Sequence, residues 1–233
     1  MGKKEGTSQR REESLSRERI IEASIELLDS LGEAGLTFRA LSERLATGPG
    51  AIYWHIASKR DLLIAACDAV VARTVDGSLR EAGAAPEATL RALALGMFDT
   101  MAARPWVGSA LIQAPGQLPM VRIFEGIGQQ VCALGVPPED QWATASALLH
   151  YVLGVGGQHA ANTQLARTHG LDRSGLLEGV SSVWSRLEPA DYPFARSVAA
   201  QLPLHDDRVD FLTGIDLILG GIRASRPGGP GLE

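Results

Sequence analysis

Between residues 37 and 59 the sequence gathers side chains suited to bonding a polyanion. Thr37 and Tyr53 carry hydroxyls, His55 an imidazole, Arg39 a guanidinium and Lys59 an ammonium. Such groups hydrogen-bond to phosphate oxygens and to base edges. Pro49, Gly50 and Ala51 lie among them. Gly50 and Ala51 are small enough for main chain to approach a base edge closely, and the Ala51 methyl suits a thymine methyl. On periodicity alone, Tyr53 and His55 serve equally well as solvent-facing residues of a short helix, and both readings stand.

The elements that position these groups follow from apolar spacing. From Ser16 onward, Ile20, Ala23, Leu27, Leu28 and Leu31 recur at intervals of three and four, which gives one apolar helix face. Gly32 and Gly35 end that helix. Thr37 reads as the N-cap of a short second helix with Phe38, Leu41 and Leu45 inward. Thr47-Gly48-Pro49-Gly50 reads as a tight turn, and Ala51–Ile56 as a third short helix. Ser58 with Asp61 three residues on forms a capping box for a fourth helix that turns Leu62, Leu63, Ala66 and Val70 inward. Helix, helix, turn, helix is the geometry that aims one short helix into a major groove about 12 Å wide.

A second helical block begins near Thr89, with Leu90, Leu93, Met97 and Met101 at helical spacing. Pro105 reads as its stop. A stretch with Pro115 and Pro119 precedes a helix over about 120–134. Pro137-Pro138 followed by Glu139 and Asp140 opens a helix expected to run to about Ala166. Residues 167–207, broken by Pro189, Pro193 and Pro203, give no clear pattern. A last helix is expected over 207–224. The fold class is all-α: an N-terminal three-helix helix-turn-helix domain and a C-terminal helical domain. The expected boundaries are a polar arm over 1–14, a DNA-binding domain over 15–74 with its motif at about 37–56, a regulatory domain over 75–225 and a loose tail over 226–233.

Composition is that of a globular protein: 45% hydrophobic, 21% charged, net charge −5. The first 74 residues carry 11 Lys and Arg against 11 Asp and Glu, so the whole excess of acid falls on the remainder. An acidic body of this kind turns the neutral head toward a polyanion. Cys67 and Cys132 read as free thiols, with no metal-ligand spacing. The N-terminus has Lys3, Lys4, Arg10 and Arg11 but no apolar run after them, so no signal peptide is expected. No stretch approaches about 18 uninterrupted apolar residues, so no membrane partner is expected and the cytoplasm is the expected compartment. No cofactor and no metal are expected. G-x-S-x-G, H-E-x-x-H, P-loop and dinucleotide fingerprints are absent, which argues against an enzyme. Gly154-Val155-Gly156-Gly157 falls inside a predicted helix, where close packing is its simplest use.

Residues 16–70 resemble the DNA-binding domain of the TetR family of bacterial transcriptional regulators. The resemblance rests on Ile20-Ile21-Glu22-Ala23, Leu27-Leu28, Gly32, Gly35-Leu36-Thr37, Arg39-Ala40-Leu41, Leu45, Gly50-Ala51-Ile52-Tyr53-Trp54-His55 and Lys59-Arg60-Asp61-Leu62-Leu63. Arg104-Pro105-Trp106, Gly135-Val136, the helix with Leu148–Gly154 and the run from Phe211 to Ile222 resemble a regulatory domain of the tetracycline-repressor type. The resemblance implies a homodimer with operator double-stranded DNA and a small-molecule effector as partners. Its recognition helices would enter successive major grooves of a palindromic operator, and ligand would shift the fourth helix. Carried over position by position, it implies DNA contacts at Thr37, Arg39, Pro49, Gly50, Ala51, Tyr53, His55 and Lys59, with Trp54 packed inward. Tetracycline-binding members supply a histidine to the drug where this sequence has Val75. Gly48-Pro49-Gly50 leaves few long side chains for base readout.

For an effector cavity the sequence offers Met97, Phe98, Met101, Trp106, Phe124 and Trp142 as apolar lining and Gln113, Gln117 and His150 as polar contacts, although each apolar one reads equally as plain core. His150 and His159 lie nine residues apart on one helix, about 180° around its axis, so they cannot share a metal from it. For a dimer interface it offers Trp142, Leu149 and Val152 on one helix and Phe211, Ile215, Ile218 and Ile222 on the last, with burial inside one subunit as the alternative. Arg10 and Arg11 read either as a minor-groove arm or as a solvated tail. A DNA-binding protein without an effector is the competing function. Such an architectural protein would be basic throughout and would need no large acidic second domain.

Overall fold

The computed structural model describes residues 15–81, 85–113 and 116–225. The expected arm with Arg10 and Arg11, the tail over 226–233 and Pro115 lie outside the described residues. The described residues form eleven α-helices and no strand, which is the all-α class the periodicity predicts. Contacts divide the chain into two compact units, one up to Val70 and one from Val71. The division falls inside the fourth helix.

The first unit holds α1 (Arg17–Gly35), α2 (Phe38–Arg44), α3 (Pro49–Tyr53) and the start of α4 (Lys59–Glu81). Ser16 caps α1 by accepting from the Arg19 amide, and Thr37 caps α2 by accepting from the Ala40 amide at 3.1 Å. Gly32 breaks the regular helix of α1, because its φ of 67° is in the left-handed region that glycine alone adopts without penalty. Ile20, Leu28, Leu36, Leu41, Ile52 and Leu62 are almost fully buried and make the core of this unit. Leu31 does not join it and is 60% exposed, because the apolar stripe ends with the break at Gly32. Arg44 of α2 reaches Glu26 of α1 at 2.6 Å and ties the two helices at the surface.

The turn before α3 sits earlier than the sequence predicts. Ala46 takes the left-handed conformation, with φ 50°. Gly48 is the N-cap, and Pro49 and Gly50 already belong to the first turn of α3. A proline fits there because the first amides of a helix have no internal partner to lose.

The second unit comprises the rest of α4, α5 (Pro86–Ala103), α6 (Pro105–Gln113), α7 (Leu118–Ala133), α8 (Pro138–Thr168), α9 (Arg173–Ser185), α10 (Pro193–Val198) and α11 (Asp207–Ala224). Pro105 stops α5 and also starts α6, which the sequence reading missed, as it missed α9 and α10. Long α8 packs against α5, α6, α7, α9 and α11. Gly156 lets α5 come close, since a Cβ there would fall on the end of the Met101 side chain and lie 3.7 Å from the Phe98 Cα. Leu93, Met97, Met101, Ile123, Val131 and Ile215 have no exposed surface.

This packing already covers most of the side chains offered for a dimer interface. Leu149, Val152, Phe211, Ile215 and Ile222 are buried within the chain itself, because α11 packs on both α5 and α8. Trp142 is 73% exposed, and Ile218 is half-buried. The other large apolar side chains exposed on α11 are Val209 and Leu217.

Candidate nucleic-acid interface

Helix α3 has five residues, far too few to hold its own shape in water. Two anchors fix it. Ile52 is completely buried, and the Tyr53 ring stacks on Phe38 of α2, with centroids 4.2 Å apart and planes 14° from parallel. What α3 and its flanks leave outside is the set of residues expected to meet DNA. Pro49, Gly50, Tyr53 and His55 are exposed, and Ala51 is half-buried. A Cβ added to Gly50 would meet nothing in the chain within 4 Å. Packing therefore does not demand glycine there.

The flanking residues Thr37, Arg39 and Lys59 are exposed as well. The Thr37 hydroxyl oxygen accepts the Ala40 amide, and its proton is left for an outside acceptor. The Arg39 guanidinium donates to Glu43 at 3.0 Å, with 90% of the arginine side chain in solvent. An ion pair so exposed is worth at most about 1 kcal/mol and yields readily to a phosphate. Lys59 is exposed in the first turn of α4. Ser58 accepts the Asp61 amide at 3.1 Å and donates to its carboxylate at 2.8 Å, which fixes the start of that helix.

Trp54 departs from expectation. It is 91% exposed rather than packed inward. The spacing carried the signal: Ile52 and Ile56 are the inward pair, and a residue two positions from Ile52 points about 200° around the helix. Trp54 thus adds a large flat apolar group to the same surface.

The residues nominated for an effector cavity do not gather at one place. Met97, Phe98 and Met101 are core, Trp106 is buried, and Phe124 is half-buried with its ring edge-on to Trp142 at 5.3 Å. Gln113, Gln117 and His150 are exposed. Of the nine, only Phe98 lines a cavity of about 360 Å³ bounded by α5, α8, α9 and α11. That volume lies at the small end of the range for small-molecule sites, about 300–1,000 Å³.

A charged hub sits in the cavity wall. Asp207, at the start of α11, accepts from two nitrogens of Arg173 of α9. Its carboxylate also faces His159 Nδ1 at 3.2 Å and His205 Nε2 at 3.3 Å. Arg173 donates further to the His205 carbonyl at 2.8 Å. Burial pushes the Asp207 carboxyl up, but the hydrogen bonds and charge of Arg173, helped by the two imidazoles, hold it below the usual carboxylate value. Elsewhere, burial and then the neighbouring Asp68 push the Cys67 thiol up to about 12. Among the described residues no helix is long and apolar enough to cross a membrane.

Comparison with known proteins agrees with this geometry. Residues 20–66 match the family model described as bacterial regulatory proteins, tetR family. A transcriptional regulator of Saccharopolyspora erythraea, of the HTH type, is 27% identical over 218 residues, covering 91% of this chain and 86% of that protein. The class D tetracycline repressor protein of Escherichia coli is 42% identical over 77 residues, which span 33% of this chain and 35% of the repressor. Among solved structures, a transcriptional regulator of Streptomyces coelicolor described as a TetR superposes with a TM-score of 0.80 at 51% identity, covering 90% of this chain and 98% of that one. The helix-turn-helix geometry and these matches together place the chain in the TetR family of bacterial DNA-binding transcriptional regulators.

Proposed function

We propose that the protein is a repressor that holds a palindromic operator as a homodimer and leaves it when a small molecule enters the C-terminal domain. The observation that carries the DNA half of this reading is the α3 surface. Pro49, Gly50, Tyr53, Trp54 and His55 are exposed on and just after an element anchored by buried Ile52 and by the stack on Phe38. In this reading Tyr53, His55 and the main chain at Gly50 and Ala51 meet base edges. Thr37, Arg39 and Lys59 meet phosphates. Trp54 lies against sugar or a thymine methyl. Two such surfaces in a dimer suit half-sites one helical turn apart, about 34–36 Å. The dimer is built on α8 and α11 through Trp142, Ile218 and Leu217, with Leu149, Val152, Phe211, Ile215 and Ile222 supporting them from within each subunit.

The effector half rests on the second unit, which supplies a cavity of suitable size. The tetracycline repressor relative is by its name a repressor with a small-molecule counterpart. The buried Val75 stands where tetracycline binding would need a histidine, so the effector is a different compound. A tenfold loss of operator affinity needs only about 1.4 kcal/mol of differential binding between the two states.

The test is a gel shift with DNA flanking the gene, at several salt concentrations. A specific shift at dimer stoichiometry, with log affinity falling linearly against log salt, is the expected result. Tyr53→Ala with His55→Ala should remove it. Survival of full affinity in that double variant overturns the assigned recognition surface. No binding even to non-specific DNA at low salt overturns the regulator reading.

A further inference from the structure

The cavity between α5, α8, α9 and α11 points to the chemistry of its occupant. We infer that it binds an uncharged, planar aromatic molecule carrying hydroxyl or carbonyl groups. This deepens the effector reading above and rests on it only for the consequence, release of DNA.

The first argument is shape. Four rings in the wall lie nearly parallel in sequence: His159 on Phe98 (4.7 Å, 26°), Phe98 on Phe211 (4.6 Å, 25°) and Phe211 on Tyr151 (5.5 Å, 19°). The Tyr151 hydroxyl is fixed by donating to the Phe211 carbonyl at 3.1 Å. Leu176 and Leu177 of α9, with Leu171 just before it, contribute an aliphatic wall. Preordered rings and leucines favour a rigid flat guest, which loses little freedom on entering.

The second argument is charge. The half-buried polar groups of the lining are tied to one another. Arg173, His159 and His205 all converge on the Asp207 carboxylate. Asp172 is committed to capping α9 through the Gly175 amide at 2.8 Å. Of the remaining charged groups, Asp210 faces His205 Nε2 at 3.8 Å, and both it and Arg167 are exposed. A charge on the guest would have to break the hub or stay at the solvent edge beside Arg167, where an exposed ion pair contributes little, since burial of an unpaired charge is strongly unfavourable.

The third argument is what remains free to bond. Asn162 accepts from the Gln158 amide at 3.4 Å, which leaves its own NH2 for the cavity. Thr163 donates to the His159 carbonyl at 2.9 Å and keeps its oxygen as an acceptor. These groups are neutral and sit on α8, a pattern that matches neutral hydroxyl and carbonyl substituents.

The test uses DNA-free full-length protein and 2,7-dihydroxynaphthalene as the probe, read by calorimetry. Naphthalene-2-sulfonate supplies the same rings with a fixed charge, and decanol supplies a neutral guest that is not flat. The expected result is saturable binding of the diol, with both comparison compounds at least tenfold weaker. Asn162→Leu should weaken the diol at least tenfold, and Val155→Phe, which fills the cavity, should abolish binding. Unchanged helical circular dichroism and cooperative melting would show that both variants fold. Equal binding of the sulfonate, undiminished binding in both variants, or no binding of the diol by the wild type at millimolar concentration overturns the inference. Diol binding without release of operator DNA leaves the site standing and overturns the effector-release reading instead.

Discussion

The phenol ring of Tyr53 lies flat on the ring of Phe38, with centroids 4.2 Å apart. Half of Tyr53 is still exposed. One residue therefore does two things: its ring holds α3 to α2, and half of its surface remains open to solvent. The two roles separate by mutation. Phe38→Ala removes the stack and should lower stability by about 1–2 kcal/mol. Tyr53→Phe keeps the stack, should leave the melting temperature nearly unchanged, and should weaken operator binding by about tenfold through one lost hydrogen bond. Thermal melts and gel shifts on the two variants separate these effects.

Gly50→Ala tests whether small size at α3 serves the chain or its ligand. Nothing in the chain lies within 4 Å of the added methyl. Stability should hold or rise by up to about 1 kcal/mol, since alanine restricts the unfolded chain more than glycine does. Operator affinity should fall at least tenfold if backbone approaches DNA here. Unchanged affinity would remove Gly50 from the contact surface.

The Arg173–Asp207 pair sets a pH signature. The Asp207 carboxyl titrates below its ordinary value in the folded protein. Its stabilisation is therefore fully present above the unfolded value, about 3.9, and is lost as pH falls through the lower folded value. Asp207→Asn should cost about 2 kcal/mol at pH 7, where Arg173 and both imidazoles lose a charged acceptor. The gap between wild type and variant should narrow as pH falls below the ordinary carboxylate value. Denaturant titrations at pH 7 and at acid pH provide the check.

The two thiols should react very differently. Cys132 is exposed, whereas Cys67 is 1% exposed and its thiol is pushed up to about 12. Thiolate is the reactive form, so Cys67 stays inert near pH 8. A thiol-disulfide reagent should titrate one thiol per native chain and two in denaturant. Two fast thiols in the native state would contradict the packing of α4.

The sequence by itself determined the features written within a few residues of one another. Thr37 at the head of α2, the Ser58–Asp61 pair at the head of α4, and the apolar spacing through Ile20, Leu28, Leu41 and Ile52 fixed the N-terminal helices and their order. Those signals act over one or two turns, so they are legible without the fold. Even here an intermediate case arises. Pro105 was readable as a helix stop but not as a helix start, because proline favours both boundaries. In α9 and α10 no residue of either helix is buried, so they leave no apolar stripe to read between 167 and 207.

Tertiary structure alone decided which apolar faces look inward and where a cavity remains. Phe211 and Ile215 are interior because α11 docks on α5 and α8, and that docking is held at the surface by pairs such as Arg91 with Asp216, 125 residues apart. The cavity joins Phe98 of α5 to Arg173 of α9 and Asp207 of α11 in the same way. Helical periodicity states that a face must be covered. It carries no information on which distant helix covers it, because burial is a property of the packed chain and not of any window along it.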